Sequence, residues 1–427
     1  MHFISTRGAA PELSFSQALS QGLAPDGGLY VPTEWPRFEG SEAPLPQLGQ
    51  RLLEPFLAGD PLFSQLPAIA AEAFSFPAPL VPLGEQGGLS ILELFHGPTA
   101  AFKDFGARFL AATMVRLRQG AARSLKILVA TSGDTGGAVA AAFHGKPGIE
   151  VDVLFPKGLV SPTQEQQLTC WGGNVRSFAV LGTFDDCQRL VKEAFLDSQL
   201  RQRADLSSAN SINLGRLLPQ MVYYAATSLE VKRVYGQPAS FVIPSGNLGN
   251  AMACIWARKL GLPIGDIVLA HNANRTVPDY LDSGSFEPRA SVATLASAMD
   301  VGNPSNCERL RHLFTDISLA RTAVTTCSVD DAAIRARIRA GFEQYGQVWC
   351  PHTAVAAEAY ARLPAERRGA GHWVLVATAH PAKFREIVEP LIGQEVSVPE
   401  TLAALFARPA ACIEVAGNLR ALRAHLS

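Results

Sequence analysis

Ser240-Phe241-Val242-Ile243-Pro244-Ser245-Gly246-Asn247-Leu248-Gly249-Asn250 runs from an apolar, strand-like segment into a polar turn with two glycines. Ala251 to Leu260 then reads as a helix. Strand, short loop and helix in that order form the repeating unit of an α/β protein with parallel strands. Loops of this kind gather at the carboxyl edge of the sheet, where ligands bind. The glycines permit close backbone approach, and the helix start offers unpaired N–H groups at the positive end of its dipole. The turn is not GxGxxG, because only Gly246 and Gly249 have that spacing. It is not a Walker loop, because no Gly-Lys-Ser/Thr closes it. It suits a single phosphate, and it also suits an ordinary βα turn.

The same unit recurs on both sides. Leu125 to Ala130 is strand-like, runs into Thr131-Ser132-Gly133-Asp134-Thr135-Gly136-Gly137, and continues as an Ala-rich helix, Ala138 to Phe143. Val151 to Phe155 leads to Pro156-Lys157-Gly158, and Arg176 to Val180 precedes an amphipathic segment from Asp185 through Phe195. Asn210-Ser211-Ile212-Asn213 stands before a helix-like run, Leu217 to Leu229. Asp266 to Ala270 and Trp373 to Ala377 are further strands. The expected class is α/β, with open, mostly parallel sheets, helices on both faces and a small N-terminal region. In residues 1–85, prolines keep helices short, and Asp26-Gly27-Gly28 turns into an extended Leu29 to Pro32. Phe76 to Pro82 is Pro-rich and reads as a linker or edge strand. Thr401 to Ser427 reads as one or two terminal helices. The expected division is an N-terminal unit over 1–85, a large unit over 86–127 and 221–427, and a smaller mobile unit over 128–220.

Composition narrows the function. A chain of 427 residues with 48% hydrophobic and 18% charged residues has the make-up of a soluble globular protein of two or three domains. A net charge of −1 gives no global field toward nucleic acid or membrane. The seven cysteines are scattered, odd in number and without a CxxC pair, which favours reduced thiols over a zinc ribbon or disulfide framework. Met1 to Arg7 lacks the apolar core of a signal peptide. The most membrane-like stretch, between Lys126 and Lys146, contains Asp134 and four glycines, so it does not read as a span.

Phe95-His96-Gly97-Pro98-Thr99-Ala100-Ala101-Phe102-Lys103-Asp104-Phe105-Gly106 places one lysine in an apolar, aromatic stretch after the strand-like Leu89 to Leu94. Gly97-Pro98 marks a turn, and Thr99 is expected to cap a helix running through Leu110. Burial disfavours an ammonium, and the free amine attacks carbonyls to give Schiff bases. The plainer alternative is a stem that covers apolar surface. In the loop from Thr131 to Gly136, three hydroxyls suit a carboxylate, or they cap a core helix. Asp134 fits beside an anion only if it faces away or meets a protonated group. Thr378 sets a neutral hydroxyl after a very apolar strand, or caps the next turn. His352 and His380 read as ordinary interior or surface histidines. No metal cluster and no Gly-x-Ser-x-Gly elbow is present. A dry lysine, a one-phosphate loop and a neutral hydroxyl together suit pyridoxal 5'-phosphate, which needs an amine, an anion site and a partner for its ring nitrogen.

Over nearly its whole length the chain resembles the threonine synthase family, in the fold-type II (tryptophan-synthase-β-like) group of pyridoxal-phosphate enzymes. The resemblance rests on Ser5 to Gly8, His96 to Asp104, Ala130 to Gly136, Phe184 to Gln188, Asn210 to Asn213, Pro244 to Asn250, Ala298 to Asn306 and Thr378 to Phe384. It implies that Lys103 holds the cofactor as a Schiff base and shuttles protons. It implies that Gly246, Asn247, Leu248, Gly249 and Asn250 cradle the cofactor phosphate and that Thr378 meets the ring nitrogen. Ser132, Gly133 and Thr135 would grip the substrate carboxylate. Asp134 stands where many fold-type II relatives have an Asn on the ring hydroxyl. The implied reaction is the last step of threonine biosynthesis, O-phospho-L-homoserine and water to L-threonine and phosphate, catalysed by a carbon–oxygen lyase acting on phosphate. Lys157, Ser161, Asn210, Ser211, Asn213 and Arg216 are candidates for the substrate phosphate. The alternatives are a lyase of the same fold giving 2-oxobutanoate and a cofactor-binding protein without turnover. A cytoplasmic monomer or homodimer is expected, with no nucleic-acid or membrane partner and no metal.

Overall fold

The computed structural model describes residues 1–84, 87–203 and 205–426. Near the N-terminus, β1 (Phe3–Ser5) pairs antiparallel with β2 (Tyr30–Pro32). The large sheet has six strands, in the order β11 (Thr325–Ser328), β10 (Ile264–His271), β9 (Ala239–Pro244), β12 (His372–Ala377), β4 (Leu89–Glu93) and β3 (Leu80–Pro82). Every neighbour pair is parallel except β3–β4, so the Pro-rich seam ends as an antiparallel edge strand. Ile91 stands opposite Leu375, and Val374 opposite Phe241.

β9 and β12 are buried at every position, as expected for strands covered on both faces. Phe241, Ile243, Val374 and Val376 join one apolar cluster with Tyr223, Tyr224 and Trp256. The alternate residues Val242, Trp373 and Leu375 join a second cluster with Ala354 and Val355 of the helix Pro351–Ala361. Strand periodicity of two divides the core into these layers.

The smaller sheet is wholly parallel, in the order β13 (Ile413–Ala416), β7 (Val175–Leu181), β6 (Ile149–Pro156), β5 (Leu125–Ala130) and β8 (Asp205–Ser207). Ile127, Val129, Val151 and Val153 face the shared core, whereas Leu128, Leu154 and Phe178 pack under Cys187 and Leu190. This corrects the expected division twice. The tail, read as helices and assigned to the large unit, contributes a strand to the small sheet. Lys126 Nζ and Arg176 Nη1 then donate to the carbonyls of Leu426 and His425, holding the last helix against that sheet. A four-residue strand is too short to show a period. β5 also belongs entirely to the small sheet, so a boundary between 127 and 128 cuts through it. A second expected boundary, between 85 and 86, lies outside the described residues, and the third, between 220 and 221, falls where a 3-10 turn meets the helix Met221–Tyr235.

Two helix starts also differ. The helix after Gly97-Pro98 begins at Lys103, and Thr99 does not cap it. Instead the buried Asp104 carboxylate accepts from Thr99 N at 2.8 Å and Thr99 Oγ1 at 2.6 Å, which folds the preceding loop back. The run expected over Leu217 to Leu229 is broken by Pro219, which has no N–H to donate. A short helix, Leu214–Leu217, and a 3-10 turn precede the helix Met221–Tyr235. Among the described residues no helix is long and apolar enough to cross a membrane.

Candidate active site

β4, β12 and β9 are neighbours, so the loops leaving their carboxyl ends are neighbours too. The first carries Lys103, the second Thr378, the third Gly246 to Gly249. With strands about 4.8 Å apart, the outer two loops lie about 10 Å apart. Main-chain bonds lock the first two together: Phe102 N donates to Thr378 O at 2.9 Å, and His380 N to Ala100 O at 3.0 Å. Ala101 and Ala379 form an isolated bridge between them. His380, rather than Thr378, caps the turn Pro381–Phe384. Thr378 is buried, and its hydroxyl makes no hydrogen bond among the described residues.

Lys103 opens its helix and is partly buried, with Nζ 5.8 Å from the Phe102 ring centroid. Its amine makes no hydrogen bond or ion pair among the described residues. Burial pushes its pKa down to about 8; Asp134 opposes that shift, and Lys383 and Arg216 add to it. A primary amine that gives up its proton near neutral pH is a nucleophile.

The glycine turn is shaped by sterics. A Cβ on Gly246 would stand 2.8 Å from Met299 Cα, so main chain packs on main chain there. Leu248 has φ +61° and Ala100 φ +51°, the two non-glycine residues with positive φ among those described. Such backbone costs on the order of 1–3 kcal/mol per residue and collects at functional sites. Both flank the expected ligand position. Asn247 uses its side chain to fix the loop: Nδ2 donates to Ser211 Oγ at 2.6 Å, and Oδ1 accepts from Ser305 N at 2.5 Å. Asn250 Oδ1 accepts from the Tyr223 and Tyr224 hydroxyls, while its buried Nδ2 has no partner. An anion in this turn therefore meets backbone N–H groups at a helix start, not the Asn247 amide.

The small sheet supplies the loop after β5. Thr131 Oγ1 accepts from Gly133 N and Gly136 N, closing the turn on itself. The Ser132 and Thr135 hydroxyls make no hydrogen bond among the described residues, which leaves them available to a ligand. Asp134 meets Lys383, whose fully buried Nζ stands 2.7 Å from Oδ1. Burial alone would raise this carboxyl, yet Lys383, Lys103 and His352 hold it well below the usual carboxylate range. The charge that looked awkward in the sequence is thus neutralised by a second lysine.

A family model described as threonine synthase N terminus matches residues 2–74, one for pyridoxal-phosphate dependent enzymes matches 75–379, and one for the threonine synthase C-terminal region matches 353–426. The threonine synthase of Haemophilus influenzae is 40% identical over 430 residues, covering 100% of this chain and 99% of the relative. The pyridoxal-phosphate-bound crystal structure of threonine synthase from Brucella melitensis superposes with a TM-score of 0.91 at 34% identity, over 100% of this chain and 98% of the other. The Escherichia coli threonine synthase structure gives 0.89 at 36% identity, over 100% and 99%.

The chain belongs to the threonine synthase family.

As a member of the threonine synthases it is a fold-type II enzyme, a carbon–oxygen lyase acting on phosphate, with pyridoxal 5'-phosphate as cofactor and a small molecule as substrate. The residues present fit that cofactor: a free amine, a hydroxyl without a partner and a glycine turn stand in line on three adjacent strands. The residues expected at a substrate phosphate scatter. Lys157 is exposed and forms an ion pair with Glu414 of β13. Ser161 caps the helix Pro162–Thr169 in a capping box with Gln164. Asn213 caps the next short helix through Oδ1 and donates to Leu19 O through Nδ2. These three have structural work, which argues against their expected role. Ser211 supports Asn247. Arg216 differs: it is buried, it donates to Ala209 O from Nη1, and its Nε has no partner. Asn210 Oδ1 is likewise buried and unpaired.

Sequence reasoning assigned no role to Lys383, Asn306 or Arg309. Lys383 stands between two apolar residues, in Ala382-Lys383-Phe384, a setting close to the apolar, aromatic stretch that holds Lys103. Arg309 is fully buried with no carboxylate partner among the described residues; it donates to Tyr30 O, Ile212 O and Asn306 Oδ1. Asn306 in turn donates to Asn247 O at 3.0 Å, so a buried guanidinium braces the glycine turn from below. Burial lowers Arg309 to about 9. Nothing in the local sequence marks it as interior.

Proposed function

We propose that the chain converts O-phospho-L-homoserine and water to L-threonine and inorganic phosphate. The observation that carries this reading is the placement of Lys103, Thr378 and the Gly246–Gly249 turn on the loops after three neighbouring parallel strands, with the Ser132 and Thr135 hydroxyls unpaired among the described residues. Lys103 Nζ binds the cofactor aldehyde, and once released it moves protons at the substrate carbons. Backbone N–H groups of Gly246, Asn247, Leu248 and Gly249 hold the cofactor phosphate, with Asn250 close by. Thr378 Oγ1 orients the ring nitrogen and, being neutral, supplies no proton to it. Ser132, Gly133 and Thr135 bind the substrate carboxylate. Asp134 orients the ring hydroxyl, and Arg216 with Asn210 receives the substrate phosphate. Pyridoxal phosphate, when bound, supplies the conjugated ring that takes up the electron pair left by a departing proton.

The scattered free thiols support a cytoplasmic enzyme. The loop after β5, attached to the large-sheet side through side chains, supports a small unit that closes over the substrate and excludes stray water. The test is product analysis with O-phospho-L-homoserine. Equal amounts of threonine and phosphate are expected. A keto acid in place of threonine would overturn the synthase reading, and the absence of phosphate release would overturn turnover altogether.

A further inference from the structure

Lys383 lies on the turn Pro381–Phe384, five residues beyond Thr378 and on the large-sheet side. Its ammonium is wholly out of contact with solvent and donates to two oxygens, Asp134 Oδ1 at 2.7 Å and Thr99 O at 2.9 Å. Asp134 belongs to the small-sheet side, at the start of the helix Asp134–Phe143. Thr99 lies four residues before Lys103. Gln164 Nε2 also donates to Asp134 Oδ1, and Gln167 Nε2 to Thr99 O, so the same two oxygens are held from the small sheet as well. One buried ion pair therefore ties the two sheets together beside the reactive amine.

The charge count gives this pair its meaning. One carboxylate, Asp134, serves two lysines. A buried ammonium is strongly disfavoured unless paired, and a buried carboxylate likewise. With Lys383 in place, Asp134 already has its counter-ion, and Lys103 need carry no charge to satisfy it. Without Lys383, the nearest remaining lysine ammonium for Asp134 would be that of Lys103 itself. The other titratable groups facing these three are Arg216, His352, His380, Asp104 and Cys350. Asp104 is engaged by Thr99, and burial keeps His352 and His380 near 4, so neither histidine supplies a replacement cation at neutral pH.

We propose that Lys383 is a positioning residue: it takes up the charge of Asp134, keeps that carboxylate from capturing the Lys103 ammonium, and so leaves the Lys103 amine easier to deprotonate and free to react. The inference rests on Lys103 being the reactive amine of the proposed reaction, and its test is independent of turnover. The measured quantity is the pH profile of trace acetylation of residue 103 by acetic anhydride in the cofactor-free full chain, located by peptide mass mapping. In Lys383→Met the midpoint rises by about one pH unit or more, so labelling below it falls about tenfold. Lys383→Arg keeps the charge and holds the midpoint near that of the unaltered chain. Lys383→Met combined with Asp134→Asn brings the midpoint back down; one that stayed high would overturn the electrostatic account. If Lys383→Met does not fold, Asp134→Asn alone decides, since removing the carboxylate lowers the midpoint. A midpoint unmoved in folded Lys383→Met, or in Asp134→Asn, overturns the proposal.

Discussion

The carboxyl edges of the two sheets are built differently. On the large sheet the loops after β4 and β12 are bonded main chain to main chain, and the turn after β9 is wedged against Met299. Their positions follow from strand order, and side chains have little freedom to move them. On the small sheet the loops part company. The one after β5 is drawn into the site by Asp134 and Lys383, while the one after β6 carries Lys157 outward to Glu414. Adjacency in the sheet, more than residue type, thus decides which polar loop reaches a ligand. One side of the site is scaffold, and the other is attached to it through a few polar side chains.

That contrast breaks most sharply at Lys103. Lys103→Ala is expected to lower turnover by at least about 10²-fold, the lower end for a lost proton-transfer group. It also removes the borohydride-reducible link to the cofactor. Full activity in this variant would remove the large-sheet edge from the chemistry. Gly246→Ala probes the scaffold itself. Its new Cβ meets main chain that cannot rotate away, so overpacking of about 1–3 kcal/mol is expected. Thermal denaturation should show a lowered midpoint, and fluorescence titration a cofactor affinity weakened about tenfold or more. A variant that bound cofactor normally would mean that the turn lies away from the phosphate.

The large-sheet edge was legible because its parts are local: an apolar run, then a polar turn, then a helix. Lys103, Thr378 and Gly246 each announce themselves within a dozen residues. Their alignment depends on β4, β12 and β9 being neighbours, and sequence order says nothing of that. The small-sheet side was less legible for the same reason. Lys157 looks like a loop cation until β13, 257 residues beyond it at Glu414, supplies its partner. Ser161 and Asn213 have side chains suited to a ligand and equally to a helix start, and here the helix takes them. Lys383 sits between apolar neighbours, but its counter-ion, Asp134, is 249 residues away in the chain. A strand as short as Ile413–Ala416 shows no period at all.

Arg216 and Lys157 sharpen the comparison, since the sequence offers both as candidates for the substrate phosphate. Arg216 is buried among the site residues, and burial lowers its guanidinium to about 10, with Asp104 opposing the shift. A buried donor without a partner is costly unless a ligand completes it. Arg216→Met should therefore raise KM for O-phospho-L-homoserine about 10- to 100-fold, the range for a hydrogen bond to a charged group. Lys157 already has a partner, stands in solvent and lies on a loop that leaves the site. Lys157→Ala is expected to change neither KM nor kcat, and salt should not separate it from the unaltered chain, because an exposed pair is screened. A KM that rose in Lys157→Ala while Arg216→Met kept its own would reverse the assignment. The β6 loop would then have to swing inward on substrate, giving up Glu414.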